Sequence, residues 1–337
     1  MWFEELTGFK EISSKNVHDN IKIDGQKMIS KVNNKSYQFG TLEVVSLEHL
    51  RKQQLKNNNS GNIKVSEVIA NIQDLHCDPK NENALFQAAS QFNLLEMVSP
   101  KISPKEGIDI YENDFTQGPA CAIACGAGTI YRNYFALVNN QIGQTDTHQI
   151  DCLNSIGEEL NNQELQLWKM VNGYALVNQE GILAINKQIG GYTNYQREFL
   201  KDKLKVGIQW NTEVTLNDKK QIVSQIYCSA LPVAYSNIES FYWENFARII
   251  LEATYEATLY SAMINLKKNK SNSVFLTLVG GGAFGNDLDW ILDSLFKALD
   301  KFKDILLDVK IVSYGRSNDL LKQEIEKFNR KQPQEKF

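Results

Sequence analysis

The sequence predicts an α/β fold, and three observations carry this prediction. Residues 274–279 form an apolar run typical of a buried strand, and a glycine-rich loop, a helical repeat of leucines and a second apolar run at 305–313 follow. Strand, loop, helix and strand in this order imply a parallel pairing with a crossover connection. Residues 239–266 contain neither glycine nor proline and are apolar on more than one face, which predicts a long, buried helix. Finally, 337 residues with 42% hydrophobic and 23% charged side chains suit one large or two modest globular domains.

The charge balance argues against two classes of partner. Lys plus Arg total 36 and Asp plus Glu total 40, so the net charge is -4. An acidic chain has no overall attraction to nucleic acids or anionic membranes, and neither is predicted as a partner. No apolar run approaches the roughly 18 residues that span a bilayer. The first six residues carry two acids where a secretory signal would carry Lys or Arg, so we expect a cytoplasmic or nuclear protein.

The cysteines give no sign of a disulfide framework, because they are five in number and widely scattered. A zinc site could be drawn from His76-Cys77 with Cys121 and Cys125. The spacing of the last two is one helical turn, which favours small buried thiols instead. A nucleophile pair of His148 and Cys152 would lack an orienting acid. We therefore expect no metal and no cofactor.

The remaining elements follow in chain order. Residues 1–64 are predicted to be a partly irregular N-terminal extension that packs on the main domain, with a strand and a short helix from Tyr37 onward and a polar loop at 56–62. The main domain is expected at 65–328, and a charged tail at 329–337. Within the main domain, residues 65–72 and 84–90 predict buried segments.

Further along the main domain, Pro119 suits the start of a helix, and residues 150–170 show helical spacing. Three segments rich in β-branched and aromatic residues, 173–187, 205–216 and 221–236, predict strands or hairpins.

The most informative motif is Gly280-Gly-Gly-Ala-Phe-Gly-Asn286, between a predicted strand and a predicted helix. Glycines let the backbone approach a ligand closely, and the N–H groups of such a loop and of the following helix start suit a phosphate. The alternative is a tight turn without a ligand. The motif also fits the dinucleotide-binding pattern, with Asp308 about 20 residues on, but only about 50 residues follow. That is too few for the remaining strands and helices, which disfavours a dinucleotide-dependent oxidoreductase.

A second polar cluster lies upstream, around Gln87, Ser90, Asn93 and Glu96, and continues through Asp114 to Gly118-Pro119. Its side chains could contact a base, a ribose or a water, and the helix start at Gly118-Pro119 would make a second anion site. Taken alone, each of these residues is more often a cap or a turn residue than a ligand contact.

Together these segments resemble the macrodomain family. The resemblance rests on a strand running into Gln87-Ala-Ala-Ser90, on the helix start Thr116-Gln-Gly-Pro-Ala-Cys-Ala-Ile123 and on residues 280–286. The last motif is similar to the Gly-Ala-Phe-Gly-Asn loop of the poly(ADP-ribose) glycohydrolase branch. The resemblance covers about residues 65–315. It implies a three-layer α/β/α fold with a mixed sheet, interrupted by a large insertion at about 140–240.

The resemblance also implies a binding site for ADP-ribose. Residues Gly280, Gly281, Gly282, Ala283, Phe284, Gly285 and Asn286 would line the diphosphate and the distal ribose. Thr116, Gln117 and Gly118 would form the first phosphate loop. Gln87, Ser90 or Asn93 would take the place of the family's ribose-contacting Asn, and Asn71 would lie where many members have an adenine-binding Asp.

The first phosphate loop departs from the family pattern, which carries Gly-Gly-Gly and, in the glycohydrolase branch, Gln-Glu-Glu. Here Gln117-Gly118-Pro119 stands instead, and the nearest acids are Glu96 and Asp114, which we take as the catalytic candidates. The predicted function is binding of ADP-ribose or a related nucleotide diphosphate, with hydrolysis of ADP-ribose from a modified protein as a further activity. The alternative is an inactive scaffold subunit of a larger protein assembly. The irregular first loop and the N-terminal extension both fit this alternative.

Overall fold

The structure is a computed structural model that describes residues 1–54 and 61–331. Most of the polar loop predicted at 56–62 and most of the tail predicted at 329–337 lie outside the described residues. The strands are β1 (Ile21–Asp24), β2 (Lys27–Ser30), β3 (Ser36–Gln38), β4 (Thr41–Ser46), β5 (Lys64–Ile69), β6 (Leu85–Ala89), β7 (Leu137–Val138), β8 (Gln141–Ile142), β9 (Trp168–Val171), β10 (Tyr174–Val177), β11 (Lys205–Glu213), β12 (Ile222–Cys228), β13 (Ser273–Leu276) and β14 (Asp308–Ser313).

The α-helices are α1 (Trp2–Thr7), α2 (Ser14–Asn20), α3 (Leu47–Gln54), α4 (Ile72–Cys77), α5 (Gln117–Ala124), α6 (Gly126–Ile130), α7 (Asn154–Glu159), α8 (Asn162–Leu165), α9 (Gln179–Gly190), α10 (Asn194–Asp202), α11 (Glu244–Asn269), α12 (Leu288–Lys301) and α13 (Asp319–Lys331). One turn of π-helix spans Tyr131–Phe135, and short 3-10 helices span Pro79–Asn81, Pro104–Glu106, Asp109–Asn113, Leu216–Asp218, Val233–Tyr235 and Ser240–Tyr242.

A seven-stranded mixed sheet forms the centre of the fold, in the order β4-β11-β12-β6-β13-β14-β5. The five strands from β12 to β5 are parallel to one another, and β11 runs antiparallel to both of its neighbours. Strand β6 is buried on both faces, as expected of a parallel strand between two helical layers.

Two consecutive residues of β6 show that helices cover both faces of the sheet. The Phe86 ring stacks on His76 of α4, with the ring centroids 3.8 Å apart. The Gln87 side chain donates to Thr258 of α11, at 2.7 Å. Successive side chains of a strand point to opposite faces, so α4 and α11 lie on opposite sides. The layer around α11 includes α3, α9, α10 and α12, and α5 packs with α4 on the other face. The predicted three-layer α/β/α fold with a mixed sheet is confirmed.

The chain before residue 65 contributes to two cores. Helix α1, α2 and the three-stranded sheet β1-β2-β3 pack against α5 and α6 through a second apolar cluster that includes Trp2, Phe3 and Ile130. Strand β4 and helix α3 instead join the main sheet and the α11 layer. Likewise β11 and β12, inside the segment expected to be an insertion, are strands of the main sheet.

Most predicted elements of the last hundred residues are confirmed, namely α11, β13, α12 and β14. Two predictions further upstream were wrong. The helix expected at 150–170 is limited to the short α7 and α8, because Asn161 takes a left-handed conformation (φ 60°) and β9 follows. The strands expected at 173–187 are correct only for β10. Helix α9 follows it, capped by the Asn178 side chain, which accepts from the Gly181 N–H at 2.7 Å.

Cys77, Cys121, Cys125, Cys152 and Cys228 are all free thiols, and all but Cys77 are buried. Within the described residues, none of the helices is both long and apolar enough to cross a bilayer.

Candidate functional site

A cleft opens at the carboxyl ends of β6 and β13, in the middle of the parallel part of the sheet. After β6 the chain next enters the sheet at β11, which lies on the β12 side of β6. After β13 it enters the sheet at β14, on the opposite side of this pair of strands. In open α/β sheets, ligands bind at the point where the connections from two neighbouring strands run in opposite directions along the sheet. Ser90 and Thr277, which directly follow the two strands, line this cleft.

The two strands separate before they end, and side chains satisfy the backbone groups that this exposes. Strands β6 and β13 pair only through Leu85 and Phe86. Beyond that point, the Gln117 side-chain amide donates to the carbonyl of Gln87 and accepts from the N–H of Ala89, both at 2.8 Å. The Gln87 side chain accepts from the N–H of Thr277 at 3.2 Å. The cleft is therefore a gap between the ends of β6 and β13, and the side chains of Gln87 and Gln117 stabilise it.

The cleft has two connected parts. A large cavity of about 1050 Å³ lies towards β14 and β5, and a small cavity of about 200 Å³ lies towards the glycine loop, by which we mean residues 280–286. Both cavities are lined by Asp114, Thr116, Gln117, Thr277 and Leu278. Since these shared residues mark the junction, one elongated ligand could occupy both parts.

The glycine loop forms a wall of the small cavity and depends on glycine at its two ends. Gly280 and Gly285 have φ values of 82° and 68°, and a Cβ at either would come within 2.7 Å of another side chain. The Asn286 side chain donates to the carbonyls of Leu231 (2.8 Å) and Gly280 (3.3 Å), which fixes the loop in place. A Cβ on Gly282 would meet nothing within 4 Å, so the backbone faces open space at this point.

The start of helix α5 forms the opposite wall. A Cβ on Gly118 would lie 2.0 Å from the carbonyl oxygen of Ala89, so only glycine allows the helix to begin directly over the end of β6. The first N–H groups of a helix lack partners within the helix and carry the positive end of its dipole. Pro119, the third residue of α5, has no N–H group. The groups available to a ligand are therefore the N–H groups of Gln117 and Gly118. The small cavity is thus lined by two backbone segments, the start of α5 and the glycine loop. Within the loop, the N–H groups of Gly281, Gly285 and Asn286 already donate to carbonyls, so the N–H groups that could meet a ligand include those of residues 282–284.

The two acids predicted to act in catalysis differ in accessibility. Asp114 is half-buried, lines both cavities and accepts from the N–H of Thr116 at 2.9 Å. Glu96 lines the small cavity, but both of its carboxylate oxygens are enclosed without a hydrogen bond among the described residues. The nearest cation is Arg132, at 3.6 Å. Burial raises the pKa of Glu96 above its ordinary value, an effect that Arg132 and the Tyr111 hydroxyl partly offset.

Arg132 makes three further contacts besides its ion pair with Glu96. Its guanidinium donates to the Leu94 carbonyl (3.1 Å) and the Thr129 hydroxyl (3.2 Å) and lies 3.6 Å from the centre of the Tyr227 ring. Its Nη1, like both carboxylate oxygens of Glu96, is buried without a hydrogen-bond partner among the described residues.

No family model and no curated protein sequence matches this chain. Solved structures do. One is poly(ADP-ribose) glycohydrolase from Deinococcus radiodurans in complex with ADP-ribose, with a TM-score of 0.46 and 10% identity over 85% of this chain and 94% of that chain. Another is poly(ADP-ribose) glycohydrolase from Thermomonospora curvata, with a TM-score of 0.43 and 10% identity over 94% of this chain and 95% of that one.

The structure brings most of the predicted site residues to the cleft. Asn71 lines the large cavity, and the others line the small cavity or the junction: Ser90, Glu96, Asp114, Thr116, Gln117, Gly118, Gly280, Gly282, Ala283 and Phe284. Gly281, Gly285 and Asn286 belong to the glycine loop but do not line a cavity. Gln87 and Asn93 are fully buried, and their amides are used by Thr258, Thr277 and Gln149.

Sequence reasoning missed two exposed aromatic residues at the large cavity. Phe115 is 94% exposed and Tyr314 is 81% exposed, and both line this cavity. Phe115 lies inside the polar stretch that the motif search singled out, but exposure of an aromatic ring is a tertiary property. Thr277 and Leu278, which Val279 separates from the glycine run, were missed as well.

The structure gives no support to the zinc site considered from the sequence. Among the described residues, no group of three or more His, Cys, Asp or Glu side chains could hold a metal ion. The His76 ring is fully buried and contacts the Ile72 carbonyl and the Gln225 amide. Burial lowers the pKa of His76 to about 4, so the ring is neutral and structural.

Proposed function

We propose that this protein binds ADP-ribose, or a nucleoside diphosphate sugar of the same build, along the two-part cleft. The observation that supports the proposal is the small cavity, which is lined by both the glycine loop and the start of α5 and which shares Gln117, at the junction, with the large cavity. Two phosphates at this junction would accept hydrogen bonds from main-chain N–H groups on both sides. The glycine-loop resemblance supports the same placement.

The large cavity would take the adenosine. Phe115 and Tyr314 offer two exposed aromatic faces for stacking on a base. Asn71 and Asn318 line the same cavity and provide amide groups for base or ribose edges. Such a pairing of aromatic faces with a few polar groups is typical of ligand pockets.

The small cavity would take the second sugar. It is closed by an aromatic cluster of Tyr174, Tyr235 and Phe284, whose ring centroids lie 5.1–5.7 Å apart. Ser90 supplies a hydroxyl at the floor. A volume of about 200 Å³ suits a pentose better than a second base and its ribose, so ADP-ribose is expected to bind more tightly than the intact nicotinamide dinucleotide.

Hydrolysis of an ADP-ribosyl bond is the finer part of the proposal. Water would add to the anomeric carbon of the second sugar, and the bond from that carbon to the target atom would break. The leaving atom would take a proton from a carboxyl group, and the proton lost by the added water would restore that carboxyl group. Asp114 is the acid with access to both cavities, so we assign this role to Asp114 ahead of the enclosed Glu96.

Calorimetric titration with ADP-ribose, and with NAD and ADP in parallel, tests binding. Micromolar affinity, about 8 kcal/mol, with ADP-ribose preferred is the expected result. Because Arg316 is the one cation among the described residues that line the cleft, the affinity should not fall as salt is raised. No heat at millimolar ligand would overturn the proposal and favour the scaffold role.

Release of ADP-ribose from a modified protein tests hydrolysis. Turnover should be lost in Asp114→Asn and retained in Glu96→Gln, with both variants still binding ADP-ribose. The reverse pattern would reassign the acid, and binding without turnover in the parent protein would reduce the function to binding.

A further inference from the structure

We propose that Glu67 is a positioning residue for base recognition, acting through the loop that carries Tyr314. This inference rests on the proposed function, since it concerns the end of the cleft assigned to adenosine. Glu67 itself does not line either cavity. Its influence on a ligand would be exerted entirely through the loop 313–318, all of whose residues except Gly315 line the large cavity.

The Glu67 carboxylate holds both ends of this loop. Glu67 lies on β5 directly opposite Ile311 of β14. Its Oε1 accepts from the Ser313 hydroxyl at 2.5 Å and from the N–H of Asn318 at 2.9 Å. Its Oε2 accepts from the Ser317 hydroxyl at 2.5 Å. One side chain thus joins the last residue of β14 to the residues that begin α13, across more than 240 positions of sequence.

The carboxylate is held in its ionised form. Burial alone would raise the pKa of Glu67, but the hydrogen bonds from Ser313, Ser317 and Asn318, together with Lys322, hold this pKa below its ordinary value. Asn318 is fixed in turn as the residue before α13, where its side chain accepts from the N–H groups of Leu320 and Leu321, both at 3.1 Å. Glu67 therefore also orients an amide that lines the large cavity.

Tyr314 depends on this loop for its position. Its side chain is 81% exposed, so packing against the body of the protein does little to hold it. Gly315, the next residue, has a φ of 75° that places the chain in a tight turn. A mobile ring loses conformational entropy when it stacks on a base, which weakens binding. A loop that is already ordered before the ligand binds reduces this loss. Loss of the Glu67 contacts should therefore weaken binding of the base specifically.

The test compares four proteins by calorimetry with ADP-ribose: the parent, Glu67→Ala, Tyr314→Ala and the double variant. Glu67→Ala should weaken binding about tenfold, and the same exchange in the Tyr314→Ala background should weaken binding less than twofold. Glu67→Gln should restore most of the affinity, since its amide oxygen can accept from Ser313 and Asn318 while its NH₂ donates to Ser317. Glu326→Ala, an exposed acid on α13, is the matched control and should bind like the parent.

Each outcome bears on the inference separately from the proposed function. If the parent does not bind ADP-ribose, the proposed function fails. If the parent binds, equal losses in both backgrounds would mean that Glu67 acts independently of Tyr314, and the inference would be overturned. Unchanged affinity in a folded Glu67→Ala, or failure of Glu67→Gln to recover, would overturn it as well. Should Glu67→Ala not fold, Ser317→Ala removes the Oε2 contact and should weaken binding about threefold. Because Ser317 itself lines the large cavity, an equal loss in the Tyr314→Ala background would indicate a direct effect on the ligand and would overturn the inference.

Discussion

The Gly282→Val exchange separates ligand binding from folding at the glycine loop. The Cβ of residue 282 would have no neighbour within 4 Å, and φ at this position lies outside the left-handed region. Valine can therefore be accommodated in the folded protein without backbone strain, and we expect a change in unfolding free energy below about 1 kcal/mol. The added side chain would occupy the space that we assign to the diphosphate.

The expected loss of affinity follows from the contacts that valine would block. A hydrogen bond between a backbone N–H and a charged group contributes about 1.5–3 kcal/mol, so loss of two such bonds to the phosphates costs about 3 kcal/mol or more. That corresponds to at least a hundredfold weaker binding of ADP-ribose. Calorimetry measures the affinity, and thermal unfolding without ligand measures the stability.

Gly285→Val is the matched comparison within the same loop. Here φ is 68° and the Cβ would lie 2.7 Å from Ala234, so this variant should lose about 1–3 kcal/mol of stability as well as affinity. If Gly282→Val binds ADP-ribose as tightly as a binding-competent parent, the diphosphate does not lie against this loop, and the assignment of the junction is refuted.

Three further outcomes are expected from the geometry. Gly118→Ala, whose Cβ would lie 2.0 Å from the Ala89 carbonyl, should lower the unfolding free energy by about 1–3 kcal/mol in thermal unfolding, whereas Gly190→Ala, with open space around it, should not. Phe115→Ala should weaken ADP-ribose binding about three- to tenfold at unchanged melting temperature, and Tyr195→Ala, an equally exposed ring on α10, should leave calorimetric affinity unaltered. Burial lowers the pKa of His76 to about 4, so over the interval from pH 6.5 to 4 the folded protein binds fewer protons at this ring than the unfolded chain does. The stability that the neutral ring contributes to the fold is therefore present above pH 6.5 and is lost as the pH falls towards 4. The difference in denaturant stability between parent and His76→Gln should therefore shift by about 3 kcal/mol across this interval, and a constant difference would contradict the neutral, buried ring.

The glycine loop and its flanking elements could be predicted from the sequence because the signals are local. Residues 280–286 combine four glycines with a buried strand before them and a leucine-rich helical repeat after them. Each element carries its own periodicity, and their order implies the crossover. Helix α11 was predicted for the same reason, since its length and uniform burial are visible without knowledge of its partners.

The opening of the sheet could not be predicted in this way, because it depends on contacts that are distant in sequence. Gln117 and Gln87 were considered as ligand contacts, yet both side chains replace strand partners of β6 and β13. Strands β11 and β12 were placed in an insertion because their sequence position gives no indication that they join the main sheet. The exposure of Phe115 and Tyr314 is likewise set by where the loops lie, and apolar residues on a sequence are normally assigned to the core.

The charge distribution of the cleft decides what kind of recognition it can perform. The described residues that line it include the acids Glu5, Glu96, Glu112, Asp114 and Asp319, and Arg316 is the one cation among them. Because acids outnumber cations in the cleft, its net charge would repel a free polyanion. A diphosphate could be bound there only where N–H groups are fixed at the positions that its oxygens occupy. The glycine loop and the start of α5 provide those positions, and each depends on a glycine that no other residue could replace without displacing the backbone. Under the proposed function, selectivity would therefore come from the spacing between the junction, the aromatic faces and the small cavity, which a ligand would have to match along its whole length.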